Sequence, residues 1–384
     1  MKDRNKTIND INFSRKKYWA TNLFRKFLIH KKDKRIWIFS SLNGKYQDNS
    51  MYLFEYVSKN CPEVKPYYFV GTEQAKKDLD NKGLNSVLIG TKEAKKLQKK
   101  AGISFYTHGI DDFGPVVRNY RSYVVALWHG VGFKKMYYSD PTFKDNIIKK
   151  IYRSAFSYTH RNLTVTTSKY CFDCFAADFR FRKNAKYVII GQPRNDGLVA
   201  NKDKKPFGKK IILYAPTYRR FEKENVNIQS VVDMFSDKLI QDKLTKLGYV
   251  VYIKLHPITT GIEIKESENV VNASKFESQK LLESVDTLIT DYSSIASDFA
   301  ITGRKIIFYA PDYDEYTKYE PVFEESDEIY KGPLICKTPD EILKQIEGND
   351  LSLTEKINNL FNTSLEGNYS SRIVQYLYKE LKIK

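Results

Sequence analysis

Asp286-Thr287-Leu288-Ile289-Thr290-Asp291-Tyr292-Ser293-Ser294-Ile295-Ala296-Ser297-Asp298-Phe299-Ala300 is the stretch that decides the fold. Its first residues form a short apolar run and read as a buried strand. The run gives way to Asp-Tyr-Ser-Ser, and the serines open a helix that ends near Gly303. Strand, polar turn and helix make the repeating unit of a doubly wound sheet, which binds ligands at the carboxyl ends of its strands. Serine hydroxyls beside the unpaired N–H groups of a helix start offer an anion site suited to a diphosphate. Simple N-capping by Ser293 or Ser294 is the plainer reading, and one serine can do both.

The same alternation extends in both directions. Towards the amino terminus, apolar runs occur at Ile36–Phe39, Tyr67–Val70, Val87–Ile89, Ile103–Tyr106, Tyr123–Leu127, Leu163–Val165 and Val188–Ile190, with a helical segment from Ser50 to Lys59. A polar, lysine-rich stretch from Asn201 to Lys210 breaks the pattern and reads as a linker. Beyond it the strands are Ile211–Tyr214, Val250–Ile253, Thr287–Thr290 and Lys305–Tyr309, and a last helix runs from Ser371 to Leu381. Continuous apolar runs separated by helices indicate parallel sheets covered on both faces. The expectation is an α/β protein with two doubly wound, Rossmann-like domains and a cleft between them. Residues 36–200 form the first domain and 201–384 the second, with a return of the last helix onto the first domain left open.

Composition narrows the function. The 384 residues carry 64 basic and 46 acidic side chains, a net charge of +18, so a polyanionic partner is favoured. An apolar fraction of 41% is enough for two cores and excludes a disordered chain. No apolar run approaches the roughly 20 residues that span a bilayer, and no signal-peptide core is present, so a cytoplasmic location is expected. The four cysteines, including the Cys171-x-x-Cys174 pair, read as reduced and structural, because a second metal-type pair is lacking. Residues 1–35 are strongly basic. Trp19, Ala20, Leu23, Phe24, Phe27 and Leu28 share one helical face, which is the composition of an interfacial membrane helix or of one packed on the protein itself. No nucleic-acid-binding signature accompanies the charge.

Polar, reactive residues follow the strands. Trp128-His129-Gly130-Val131-Gly132-Phe133-Lys134-Lys135 places an imidazole, which titrates near neutrality, on a glycine turn. Gly191-Gln192-Pro193-Arg194-Asn195-Asp196 offers a guanidinium for bidentate phosphate contact or, as a plain surface turn, a helix cap. Ala215-Pro216-Thr217-Tyr218-Arg219-Arg220 adds a hydroxyl and two more guanidiniums, and Lys254-Leu255-His256-Pro257 ends a strand in a second histidine. Any one of these also has an ordinary structural reading. It is their shared position after strands that marks them.

Together these segments, with the Gly367-Asn368 turn, resemble the CDP-glycerol glycerophosphotransferase family of teichoic-acid primases and polymerases, from about Arg121 to the carboxyl terminus. The resemblance implies a GT-B-like fold with CDP-glycerol or CDP-ribitol bound mainly by the second domain. It implies catalytic roles for His129, as base on the acceptor hydroxyl, and for His256, at the donor phosphates or departing CMP. Arg194, Arg219, Ser293, Ser294, Asp291 and Lys254 are the expected donor and phosphate contacts, and Lys134 and Lys135 lie on the acceptor side. The implied partners are a lipid-linked glycan acceptor and the anionic inner face of the membrane, with no nucleic acid. No cofactor or metal site is read, and Mg²⁺ carried by the donor is left open. Where the family has Thr-Pro after His-Gly this chain has Val131-Gly132, which bears on the acceptor pocket. A ribitolphosphotransferase and a GT-B glycosyltransferase using a nucleotide sugar are the alternatives.

Overall fold

The computed structural model describes residues 31–114, 121–143, 161–181, 184–203, 208–219, 225–256 and 258–383. The amphipathic segment of the amino-terminal arm, part of the linker, Arg220 and Pro257 lie outside the described residues.

Strands β1 (Asp33–Phe39), β2 (Lys65–Val70), β3 (Ser86–Leu88), β4 (Ala101–Tyr106), β5 (Tyr123–Ala126), β6 (Leu163–Thr166) and β7 (Tyr187–Ile189) form one sheet, in the order β3-β2-β1-β4-β5-β6-β7. Strands β8 (Lys210–Tyr214), β9 (Tyr249–Ile253), β10 (Val270–Asn272), β11 (Thr287–Thr290), β12 (Lys305–Tyr309) and β13 (Ile335–Cys336) form the second, in the order β10-β9-β8-β11-β12-β13. Every named pairing is parallel. Counted within its own lobe, the second sheet has the strand order 3-2-1-4-5-6 of a doubly wound nucleotide-binding fold, and the first has the same order with a seventh strand added beyond the sixth. All residues of β4, β11 and β12 are buried, which is why these strands read as unbroken apolar runs rather than as alternation. The sequence reading passes over the edge strands β10 and β13, which are only three and two residues long.

The chain order reverses between β1 and β4 in one sheet and between β8 and β11 in the other. Ligands of such sheets bind beyond the carboxyl ends of the strands at these switch points. The two lobes are tied there by named contacts. Helix α1 (Asp48–Asn60) brings Asp48 to Arg194, and helix α2 (Lys169–Phe179) carries both cysteines of the C-x-x-C pair, buried and free. Helix α3 (Ile295–Ala300) supplies Asp298, while α4 (Tyr313–Tyr319) and α5 (Ser352–Phe361) cover the second sheet. Arg194 Nη1 lies 2.9 Å from Asp48 and its Nη2 lies 2.8 Å from Asp298. Asn195 donates to Asp298 at 2.9 Å and accepts from Gln279 at 2.6 Å.

Two further crossings fix the geometry. Phe133 packs in the core of the second lobe, and its carbonyl accepts from Phe323 N–H at 3.0 Å, while Lys135 N–H donates to Pro321 at 2.7 Å. The last helix, α6 (Tyr369–Leu381), returns to the first sheet, where Tyr369, Ile373, Val374 and Leu377 share a core with Trp37, Phe39 and Phe54. Gly191, at φ +117°, makes this return fit, because a Cβ there would lie 2.5 Å from the Tyr369 ring.

Asp298→Ala would leave a buried guanidinium short of one carboxylate and Asn195 short of an acceptor. The expected loss of unfolding free energy is about 3 kcal/mol, read from urea denaturation. A loss well below 1 kcal/mol would deny the pair any part in holding the lobes together.

Candidate active site

A cleft of about 430 Å³ lies between the lobes. His129 to Lys134 line it from the first lobe, and Pro216 to Tyr218, His256, Tyr292 to Ser294, Tyr316, Tyr319 and Glu320 line it from the second. The contact across it is close: a Cβ built on Gly130 would sit 3.2 Å from Ser294 Oγ. The His-Gly turn and the Ser-Ser turn therefore face each other with room for a ligand beside them.

The Trp-His-Gly turn is built from strain and anchorage. Trp128 adopts φ +57°, a conformation that costs a bulky L-residue about 1–3 kcal/mol. Its ring offsets this by stacking on Phe175 at 4.3 Å and Phe179 at 5.0 Å. Its carbonyl accepts from Asn49 Nδ2 at 2.9 Å. With the tryptophan buried and the backbone reversed, the next side chain, His129, is thrown out into the cleft.

The protonation of each histidine follows from its backbone partner. His129 Nδ1 lies 3.2 Å from the Thr107 carbonyl. A carbonyl can only accept, so Nδ1 carries the proton and Nε2 keeps its lone pair. On the opposite wall Ile258 N–H donates to His256 Nδ1 at 3.2 Å. That nitrogen is therefore the acceptor, and the neutral ring carries its proton on Nε2. One imidazole thus presents a proton acceptor and the other a donor. The His129 ring is open to the cleft but walled by protein elsewhere, and this desolvation pushes its pKa below the ordinary value. The Thr107 carbonyl and Asp48 oppose that shift, and Arg194 adds to it.

The second lobe supplies the polar floor. Ser294 stands at the N-cap of α3 without a side-chain capping bond, and Ile295 N–H reaches Ser293 Oγ only at 3.4 Å. Thr217 Oγ1 is buried without a hydrogen-bond partner while its residue lines the cleft, as a group awaiting a ligand does. Lys134 reaches into the cleft, donates to the Tyr316 hydroxyl and lies 5.0 Å from that ring's centroid.

Other residues expected to touch phosphate are committed elsewhere. Arg194 is spent on Asp48, Asp298 and the His129 carbonyl, which it meets at 2.8 Å, so it ties the lobes rather than binding a ligand. Arg219 is only 2% exposed, pairs with Asp291 and Asp312 at 2.8 Å each, and lies beneath the site against Tyr292. Asp291 also accepts from Thr217 N–H at 2.7 Å, so the pair sets the Pro-Thr-Tyr turn instead of reaching the cleft. Lys254 donates to the Ser274 and Phe276 carbonyls at 3.3 and 2.6 Å. Lys135 lies over the Phe323 ring, outside the cleft lining. Arg194, Arg219 and Lys254 thus already have carboxylate or carbonyl partners within the protein. The sequence reading also passes over His108, which follows β4 in Thr107-His108-Gly109 and stacks directly on His129. Among the described residues no group of three or more His, Cys, Asp or Glu is placed to hold a metal ion. No helix among them is long and apolar enough to cross a membrane.

Comparison with known proteins places the sequence in a family. The sequence model of CDP-Glycerol:Poly(glycerophosphate) glycerophosphotransferase matches residues 22–379. The teichoic acid glycerol-phosphate primase of Bacillus spizizenii is 28% identical over 267 residues, 66% of this chain and 68% of its own length. The teichoic acid poly(ribitol-phosphate) polymerase of the same species is 28% identical over 298 residues, 70% of this chain and 46% of its own. The wall teichoic acid polymerase TagF superposes with a TM-score of 0.70 at 22% identity, covering 99% of this chain and 95% of the crystallised one, a likeness of fold. The GT-B-like fold that the family resemblance implies is thus the fold of this solved neighbour, and the chain belongs to the CDP-glycerol:poly(glycerophosphate) glycerophosphotransferase family of transferases.

Proposed function

We propose that this enzyme moves glycerol phosphate from CDP-glycerol to a hydroxyl of a lipid-linked cell-envelope polymer precursor and releases CMP. The observation that carries the reading is the pair of histidines with opposite tautomers on facing walls of one cleft. His129 Nε2 takes the proton of the acceptor hydroxyl as its oxygen attacks the phosphorus bearing glycerol. The bond from that phosphorus to the bridging oxygen breaks, and CMP leaves with the electron pair. His256 Nε2–H, with the Ser293, Ser294 and Thr217 hydroxyls, meets the charge that gathers on the phosphate oxygens. Lys134 lies on the acceptor side. Any Mg²⁺ would arrive on the donor's phosphates.

The family includes relatives named for ribitol phosphate as well as glycerol phosphate, so CDP-ribitol is the second donor to test. We place the enzyme in the cytoplasm, at the inner face of the membrane, with the basic arm of residues 1–35 on anionic lipid. Deleting residues 1–30 should weaken flotation with phosphatidylglycerol vesicles and spare turnover of a soluble acceptor analogue. Unchanged flotation would remove the arm as the anchor.

Offered CDP-glycerol, CDP-ribitol and UDP-sugars with an acceptor analogue, the enzyme should release CMP from a CDP-alditol. Release of UDP from a sugar donor would instead make it a glycosyltransferase. His129→Ala should lower kcat by ~10²–10⁴-fold and His256→Ala by ~10²–10³-fold, with circular dichroism unchanged. Near-normal turnover by either variant would take that residue out of the reaction. The base works as neutral imidazole, and its pKa lies below the ordinary value of about 6.5. Activity should therefore stay level from pH 8 to 7 and fall only as the pH drops below that value; a limb centred above 7 would contradict the assignment.

A further inference from the structure

We infer that His108 is a positioning residue for the transfer: its ring, stacked flat on His129, fixes the plane in which His129 meets the acceptor hydroxyl. The inference rests on the reading of His129 as the base. The two imidazoles lie 3.9 Å apart between centroids with an interplanar angle of 1°. Both are hung from one residue. The Thr107 carbonyl receives His129 Nδ1–H at 3.2 Å, while Thr107 Oγ1 lies 2.8 Å from His108 Nδ1. Thr107 Oγ1 is itself 2.7 Å from Ser41 Oγ.

The backbone beneath them is fixed by a buried carboxyl group. Asp112 Oδ2 accepts from Thr107 N–H at 3.1 Å and from His108 N–H at 3.0 Å. Ser41, Thr107 and Asp112 are all buried, in the segments that follow β1 and β4, the strands of the first sheet's switch point. Without His108, the His129 ring would keep its single bond to Thr107 and lose the surface that stops it rotating about that bond. Positioning of this kind is worth a great deal, since a displacement near 1 Å costs ~10²-fold in rate.

The stacked neighbour must also stay neutral, because a second charge against the ring would oppose protonation of the base. Burial first and His129 second push the His108 pKa down to about 4. The other charged groups facing the pair are Asp48, which raises the His108 value, and Lys45 and Arg194, which lower it. Burial pushes Asp112 up to about 7.

His108→Ala, His108→Phe and His129→Ala should be compared by CMP release from CDP-glycerol, with donor affinity measured by calorimetry on each variant. His108→Ala should lower kcat by ~10–100-fold with little change in the donor KM. Its acid limb should move up towards the ordinary imidazole value, because His129 becomes better solvated. His108→Phe, which keeps a flat ring, should restore kcat to within roughly threefold of the wild type and return the acid limb to its lower position. If His108→Ala does not fold, His108→Phe against His108→Gln makes the same comparison of a ring kept with a ring lost. Wild-type kcat and pH profile in His108→Ala, or equal impairment in the Phe variant with donor binding intact, would overturn the inference. Active His129→Ala would overturn the underlying reading instead, so the two failures are distinguishable.

Discussion

One guanidinium holds this structure in its working arrangement. Arg194 stands between Asp48 of the first lobe and Asp298 of the second and also donates to the carbonyl of His129. Its side chain is 12% exposed, and those of its carboxylate partners 13% and 6%. A buried pair of this kind adds little net stability over an apolar contact but fixes one arrangement, since separating the partners strands charge away from water. Here the arrangement it fixes is the distance between the His-Gly turn and the Ser-Ser turn.

With the lobes set, the chemistry of the cleft follows from backbone groups. A carbonyl at one histidine and an N–H at the other leave no choice of tautomer. One ring thus offers the cleft a lone pair and the other an N–H before any ligand arrives. The Arg219, Asp291 and Asp312 cluster acts one layer down, where it holds the Pro-Thr-Tyr turn of β8 against the Asp-Tyr-Ser turn of β11. The conformational demand on Trp128 belongs to the same scheme, because its left-handed backbone gives His129 its direction.

The lobes and most of their strands were legible because buried parallel strands are unbroken apolar runs. The position of His129, His256, Ser293 and Ser294 on one cleft was legible from their shared place after strands. The roles of Arg194 and Arg219 were not. Each arginine follows a strand in a phosphate-binding type of turn, but its carboxylate partners come from distant parts of the chain that local sequence does not reveal. His108 carries the same strand-histidine-glycine signal as His129 but lacks the lysine pair and second glycine that drew attention to the latter. Only the strand order, which sets β4 beside β5, brings the two rings together.

The claim beneath all of this is that the two imidazoles serve one diphosphate. A crystal structure with CDP-glycerol bound tests it most directly. The account predicts the diphosphate in the cleft, with oxygens in hydrogen-bond reach of His256 Nε2 and Ser294 Oγ and the glycerol-bearing phosphorus facing His129 Nε2. A donor seated on another surface, or one whose phosphates meet neither ring, would contradict it.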